Sequence, residues 1–208
     1  MKPVILLISL LLSSVAAASN TAPPCPESLN HSFRKLHSSD DVNICDLHTG
    51  GPILFVNTAS YCGFTPQLKE LEALHQKYQS KGLRVIGFSS DDFNQEEKDE
   101  EKAAKICFYN FGVTFTMLAP SHVKGSKANA IYKYLAEISG KPPTWNFNKY
   151  VMAGDGKTIS HYMSGEKPLD SSLENNIREL LKNWVCCVSR CERKMVGPDR
   201  LELSTCRL

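Results

Sequence analysis

The sequence lacks several signatures that mark well-defined classes of protein. No Cys-x-x-Cys pair occurs, and the six histidines form no His-Glu-x-x-His pattern, so we expect neither a metal site nor a bound cofactor. A net charge of +2 gives no electrostatic case for nucleic acid or an anionic membrane surface. Internal repeats are also missing. The 208 residues therefore fit one globular domain with additional terminal segments.

The longest apolar run lies at the N-terminus and predicts an export signal. Lys2 precedes "VILLISLLLSSV", and Ala16–Ala18 supply the small residues of a cleavage site before Ser19. This run is too short to span a bilayer. We therefore expect residues 1–18 to be removed, leaving a periplasmic or secreted protein with no membrane segment.

Eight cysteines in an exported chain raise the question of disulfide bonds. They are spread along the chain instead of following scaffold-like spacing, at positions 25, 45, 62, 107, 186, 187, 191 and 206. Cys45 lies in a short apolar run, where buried packing is the expected role. The last four fall in residues 186–208, which lack sustained periodicity and predict an irregular tail of no assigned function.

The pattern of apolar residues predicts an α/β domain over residues 33–185, after a connector over 19–32. "PILFVN" and "LRVIGFS" are typical of buried strands, and an amphipathic helix lies between them, with Thr65 as its N-cap, Pro66 at its first position and Gly82 as its stop. This order implies a right-handed parallel crossover.

Other elements follow from turn residues and helical spacing. The "SSDD" turn suggests an N-terminal hairpin, and Asp155 with Gly156 suggests a second one. Helices are predicted over residues 94–111, within "IYKYLAEI", and in "SSLENNIRELLKNW".

Cys62 stands in the loop between the first buried strand and the first long helix. Backbone amides and the helix dipole at such a position favour an anion, so a thiol there can react as the thiolate. Loop placement alone leaves packing as the more common role of a lone cysteine.

Several segments together resemble the glutathione peroxidase family in its cysteine, non-selenium form. They run in order through the domain: "NTASYCGFTPQ", "KGLRVIGFSSDDFNQEE", "NFGVTF" and "WNFNKYVMAGDGK". The resemblance implies a thioredoxin-like fold, a central mixed sheet flanked by helices, and a role in the response to oxidative stress. It also implies reduction of hydrogen peroxide or organic hydroperoxides through a Cys62 sulfenic acid, with Trp145 and Asn146 as neutral donors.

The family's glutamine position departs from this pattern. Where the family usually has Pro-Cys-Asn-Gln-Phe, this chain has "SSDDF", which places Asp92 at the glutamine position. An ionised carboxylate there would oppose a thiolate, so Asp92 is expected to act as a donor when protonated or through water, to point away from the thiol, or to make the site slower than usual; it is kept as a site residue. The segment is also one residue shorter than in the family, which would bring Gln95 closer than a simple alignment suggests.

Cys107 is the candidate resolving thiol, although it also suits a buried helix face. The short connector "AEISGKPPT" resembles forms that lack an assembly loop, which favours a monomer or dimer and a thioredoxin-like protein over glutathione as the thiol reductant.

Other functions remain open from the sequence. One is a redox sensor or binding module on the same fold with little turnover. A second is a cysteine hydrolase pairing Cys62 with His122 or His161. A thiol–disulfide oxidoreductase is the weakest, because Thr65 stands where a second cysteine would be.

Overall fold

A computed structural model describes residues 25–194, which form a sheet flanked by helices. The strands are β1 (Ser32–Arg34), β2 (Asp41–Asn43), β3 (Ile53–Thr58), β4 (Arg84–Ser89), β5 (Thr116–Leu118), β6 (Lys149–Met152) and β7 (Ile159–Tyr162). The helices are α1 (Ile44–Leu47), α2 (Gln67–Tyr78), α3 (Glu100–Ala104), α4 (Ala130–Ser139) and α5 (Ser172–Lys194). A π-helical turn, Lys105–Asn110, continues α3.

Five strands form a mixed sheet in the order β5-β4-β3-β6-β7. Strands β3, β4 and β5 are parallel, whereas β6 is antiparallel to β3 and to β7. The β3-α2-β4 crossover confirms the predicted α/β class. Both predicted hairpins are also present, as the β1-β2 pair and as β6-β7 around Asp155 and Gly156.

Strand β3 separates two apolar cores because its side chains alternate between the faces of the sheet. Leu54 and Val56 pack in the core that contains α2 and α5, and Ile53 and Phe55 in the core that contains α4. All four side chains are fully buried. The loop that follows β3 therefore begins at a strand whose two faces are both packed in apolar cores.

Helix α2 begins at Gln67, one residue later than predicted, and Pro66 instead of Thr65 stands at its N-cap. The Thr65 hydroxyl accepts from the Cys62 amide at 3.1 Å and donates to the Ala59 carbonyl at 2.8 Å. Its polar group is therefore used to fix the loop that carries Cys62.

The second predicted helix begins later than expected. Asn94 has a left-handed φ of 56°, which does not continue into a helix, and Asp99 caps α3 by accepting from the amides of Glu101 and Lys102. The helical segment therefore covers residues 100–110 instead of 94–111.

Cys45 lies on α1 and forms a disulfide with Cys25, so its predicted role as simple packing is wrong. The Cα atoms are 5.5 Å apart, and the bond closes a separation of 20 residues. It ties the segment before β1, part of the predicted connector, to the domain.

Replacing both Cys25 and Cys45 with serine is expected to lower the free energy of unfolding by about 3 kcal/mol, because the unfolded chain regains the entropy of an open loop. Denaturant titration of the double variant measures the loss. Peroxide reduction by the folded variant should be unchanged, and equal stability of variant and parent would contradict this role.

Helix α5 differs from the prediction at its C-terminal end. Its backbone is helical to Lys194, past the end of the predicted helix at Trp184, because the first glycine and proline after that residue are Gly197 and Pro198. The prediction of an irregular tail from residue 186 is therefore wrong over residues 186–194. The predicted signal peptide over residues 1–18 and the end of the tail lie outside the described residues. Within them, no helix has the length and apolar character needed to cross a membrane.

Glu174 links α5 to α2 through a contact that we expect to be sensitive to acid. Its side chain accepts from Lys77 at 2.8 Å, from the Tyr78 hydroxyl at 2.6 Å and from the Asp170 amide at 2.8 Å. Burial alone would raise the pKa of Glu174, but these donors lower it from 4.5 to about 2.

Because the pKa of Glu174 is lower in the folded state, its contribution is present above pH 4.5 and is lost as the pH falls toward 2. We expect this loss to reach on the order of 2–3 kcal/mol. The Tm of Glu174→Gln should fall less over this pH range than that of the parent protein. Parallel curves would contradict the assignment.

Candidate active site

Cys62 lies in a tight loop between β3 and α2, which we call the reactive loop (residues 59–65). The sulfur accepts the Phe64 amide at 3.5 Å, and only 6% of the residue is exposed. The Thr65 hydroxyl closes the loop by accepting from the Cys62 amide and donating to the Ala59 carbonyl. The backbone of the loop therefore supplies one hydrogen-bond donor to the sulfur.

Trp145 and Asn146 lie just before β6, and the backbone around them is bonded to Asn57 near the end of β3. Phe147 is fully buried with a left-handed φ of 60°, and its amide donates to the Asn57 carbonyl at 2.6 Å. The Trp145 carbonyl accepts from the amides of Asn57 and Asn148, each at 3.0 Å. The left-handed backbone of Phe147 is unusual for a bulky residue and is maintained by these hydrogen bonds, as is common at functional sites.

The two side chains differ in exposure. Asn146 is fully buried, whereas 41% of Trp145 is exposed and its ring lies 5.5 Å from that of Phe93, measured between centroids. The Asn146 Oδ1 atom has no hydrogen-bond partner among the described residues.

Gln95 connects the reactive loop to Asn146. Its carbonyl accepts from the Tyr61 amide at 2.9 Å, and its Oε1 accepts from Asn146 Nδ2 at 3.0 Å. Sequence reasoning did not include Gln95 among the site residues. The one-residue shortening before it was the signal that pointed to it, since it predicted that Gln95 lies closer than a simple alignment suggests.

Asp92 is directed to another segment, so the structure does not support its predicted role beside the thiolate. The carboxylate bonds the His122 ring at 2.6 Å and accepts the amides of Val123 and Lys124 at 2.6 and 3.0 Å. Although burial opposes ionisation, these partners hold the pKa of Asp92 below its ordinary value. Asp92 therefore acts as an ionised anchor for residues 122–124.

Cys107 lies on the π-helical turn and is 6% exposed. It belongs to the same apolar core as Cys62, and these two are the free cysteines of residues 25–184. Burial, with a smaller effect from the charge of Glu96, raises the pKa of Cys107 to about 12. The thiol is therefore inert in this conformation.

A comparison with protein-family models matches residues 31–136 to the glutathione peroxidase family. The chain belongs to the glutathione peroxidase family. A similar family protein is glutathione peroxidase-like peroxiredoxin 2 of Saccharomyces cerevisiae, 41% identical over 64% of this chain and 84% of the yeast protein. Membership makes the chain a thiol peroxidase and an oxidoreductase, as the sequence predicted, in a family that needs no prosthetic group.

Solved structures with a similar fold include Trgpx in its apo form and a thioredoxin-family protein. The apo structure of Trgpx is 27% identical, with a TM-score of 0.59 over 74% of this chain and 95% of that one. A thioredoxin-family thiol:disulfide interchange protein of Chlorobium tepidum gives 0.56 at 13% identity, over 77% and 99% of the two chains. The second likeness concerns the fold alone, and both confirm the predicted thioredoxin-like architecture.

The alternative functions receive no support from these findings. His122 bonds Asp92, and His161 lies 2.8 Å from Asn148 Oδ1, so the structure pairs neither with Cys62 as a hydrolase would require. Similar proteins of this family are named glutathione peroxidases and peroxiredoxins, which supports the peroxidase interpretation and not the sensor interpretation. The peroxidase interpretation is the one that stands.

Proposed function

We propose that the protein reduces hydrogen peroxide or organic hydroperoxides at Cys62. The Cys62 thiolate attacks one peroxide oxygen, the O–O bond breaks, and the departing oxygen takes a proton to leave as water or an alcohol, while Cys62 becomes a sulfenic acid. The observation that carries this proposal is the chain of contacts from the reactive loop through Gln95 to the buried Asn146.

Neutral donors suit this reaction because they stabilise the departing oxygen without repelling the thiolate. We assign this role to the indole N–H of Trp145 and to the amides of Gln95 and Asn146. Gln95 replaces Asp92 in the set because its side chain bonds Asn146, whereas the Asp92 carboxylate is held by residues 122–124.

Cys107 is proposed as the resolving thiol. Its sulfur attacks the sulfur of the Cys62 sulfenic acid, giving a disulfide and one molecule of water. Because Cys107 is packed in the core, the π-helical turn must open for the sulfurs to meet, and π-helical turns are frequent at functional sites. A thioredoxin-like protein would then reduce the disulfide; glutathione is the other candidate reductant.

Peptide mapping by mass spectrometry tests this cycle on the reduced chain from Ser19 after one equivalent of hydrogen peroxide. We expect a Cys62–Cys107 disulfide in the parent protein and a trapped Cys62 sulfenic acid in Cys107→Ser. A sulfenic acid in the parent with Cys107 unmodified would indicate glutathione as reductant. An unmodified Cys62 would contradict the proposed peroxidase chemistry.

We also propose that the protein is exported, to the periplasm or outside the cell, and acts there as a monomer or dimer. The Cys25–Cys45 disulfide supports export, because such bonds persist in oxidising compartments. The N-terminal signal pattern supports it independently. Fractionation of expressing cells with the full chain should find a protein that begins at Ser19 outside the cytoplasm, and a cytoplasmic protein that retains Met1 would contradict export.

A further inference from the structure

Ser164 is buried in the turn that follows β7, and it connects the segment before β6 to the start of α2. Only 6% of the residue is exposed. Its hydroxyl donates to the Asn146 carbonyl at 2.6 Å and accepts from Asn148 Nδ2 at 3.0 Å. Its carbonyl accepts from Gln67 Nε2 at 2.8 Å. Both oxygens of Ser164 therefore bond groups that belong to other parts of the fold.

A buried lysine fixes this turn against the sheet. Lys149 on β6 is fully buried, and its ammonium group donates to the carbonyls of Ser164 at 3.0 Å and Glu166 at 2.7 Å. The Glu166 amide donates to the Met163 carbonyl at 3.0 Å, which closes the turn. Because a buried charge is costly unless it is hydrogen-bonded, the loss of either carbonyl would destabilise the fold. The position of Ser164 is therefore fixed from β6.

A ring of hydrogen bonds starts and ends on the two sides of the reactive loop. One half runs from Tyr61 in this loop through Gln95 to the side chain of Asn146. The other half runs from the Asn146 carbonyl through Ser164 to Gln67. Gln67 is the first residue of α2 and follows the reactive loop by two positions. Ser164 is the link that closes this ring.

The Asn146 carbonyl depends on Ser164 for its hydrogen bond. Asn146 is fully buried, and no backbone amide of the described residues donates to its carbonyl. A buried carbonyl that loses its donor is left with the cost of desolvation, so the backbone would have to move to recover a partner. Such a movement would displace the Asn146 side chain and the adjacent Trp145. A displacement of about 1 Å in a reacting geometry can lower a rate by about 10²-fold.

We propose that Ser164 is a positioning residue of the peroxide site. Its hydroxyl holds the backbone of Asn146 and its carbonyl holds the first residue of α2, so the neutral donors stay in register with the loop that carries Cys62. In this role Ser164 acts through its neighbours and needs no contact with the peroxide. The inference rests on the proposed function, because the donors that Ser164 positions are those assigned above to the departing peroxide oxygen.

Ser164→Ala tests the inference because it removes the hydroxyl and leaves the backbone carbonyl in place. Reduced protein is mixed with one equivalent of hydrogen peroxide near neutral pH and acid-quenched, and mass spectrometry gives the oxidised fraction of Cys62 as the sum of sulfenic acid and disulfide. This sum follows the first step alone, whether or not Cys107 resolves it. We expect Cys62 oxidation to be at least about tenfold slower than in the parent protein. Ser164→Thr, which keeps the hydroxyl, should recover part of the rate.

Alkylation of Cys62 by iodoacetamide separates positioning from general damage to the site. This reaction also uses the thiolate, but it releases iodide and needs no donor to a departing oxygen. We therefore expect Ser164→Ala to be alkylated at the parent's rate. Thr49→Val is the matched control, because it removes a hydroxyl bond to the Gly82 carbonyl at the opposite end of β3 and β4. It should match the parent protein in both reactions.

The contrary results are distinct from one another. Equal slowing of oxidation and alkylation in Ser164→Ala, or an unchanged oxidation rate, would overturn the positioning role and leave the peroxidase chemistry intact. An unmodified Cys62 in the parent protein would contradict the proposed function, and this inference with it. If Ser164→Ala does not fold, Gln67→Met decides, because it removes the bond at the other end of the link at similar side-chain length. It should slow oxidation and not alkylation, and an unchanged oxidation rate would overturn the inference.

Discussion

Cys62→Ser is expected to lower kcat/KM for peroxide reduction by at least about 10⁴-fold, the scale of loss when a nucleophile is removed. Serine preserves the loop, because the hydroxyl can still accept the Phe64 amide, but it is not ionised near neutral pH and does not attack the O–O bond. A coupled assay that follows reductant consumption, or direct measurement of peroxide, gives the rate.

Cys107→Ser is the matched control for this prediction. Both cysteines are equally buried, so a loss of packing would affect either variant in a similar way. Cys107→Ser should still reduce one equivalent of peroxide at the parent's initial rate and then stop with a thioredoxin-like reductant. Sustained turnover by Cys62→Ser would remove Cys62 as the nucleophile, and failure of the first turnover in Cys107→Ser would show that the variant disturbs the site.

Local patterns were sufficient to predict the scaffold and the position of Cys62 in the loop between β3 and α2. The apolar runs of β3 and β4 and the helical spacing of α2 are short-range signals, and together they define the crossover that presents Cys62. The family resemblance added Trp145 and Asn146, and the structure bonds Asn146 to Gln95. The scaffold and the placement of Cys62 after β3 were therefore accessible without coordinates.

Features that depend on long-range contacts could not be predicted from the sequence. The Cys25–Cys45 pairing cannot be derived from spacing, because many pairings of eight cysteines are possible. Asp92 looked like a site residue because it aligns with a glutamine, yet its partners lie some thirty positions away at His122 and Val123. The left-handed Asn94 turns the chain so that Gln95, instead of Asp92, bonds Asn146.

Gln95→Glu is expected to lower kcat/KM by about 10²-fold, comparable to the removal of one neutral donor from a preorganised site. The carboxylate would keep the bond from Asn146 Nδ2, so the geometry is largely preserved while a negative charge is added beside the reactive loop. That charge disfavours both the thiolate and the developing charge on the departing peroxide oxygen. The loss should diminish at lower pH, as the new carboxyl group is protonated.

The comparison with Asp92→Asn decides which residue faces the reacting atoms. Removing the Asp92 charge weakens its contacts with His122, Val123 and Lys124, so we expect the variant to lose about 1–2 kcal/mol of stability and to keep near-parent activity. Thermal unfolding and initial peroxide rates measure the two effects separately. The opposite outcome is a large change in the peroxide rate of Asp92→Asn and an unchanged rate of Gln95→Glu. In that case the bond between Gln95 and Asn146 would serve the loop structure alone. The negative charge of Asp92 would then have to act on the thiolate through the 91–95 loop.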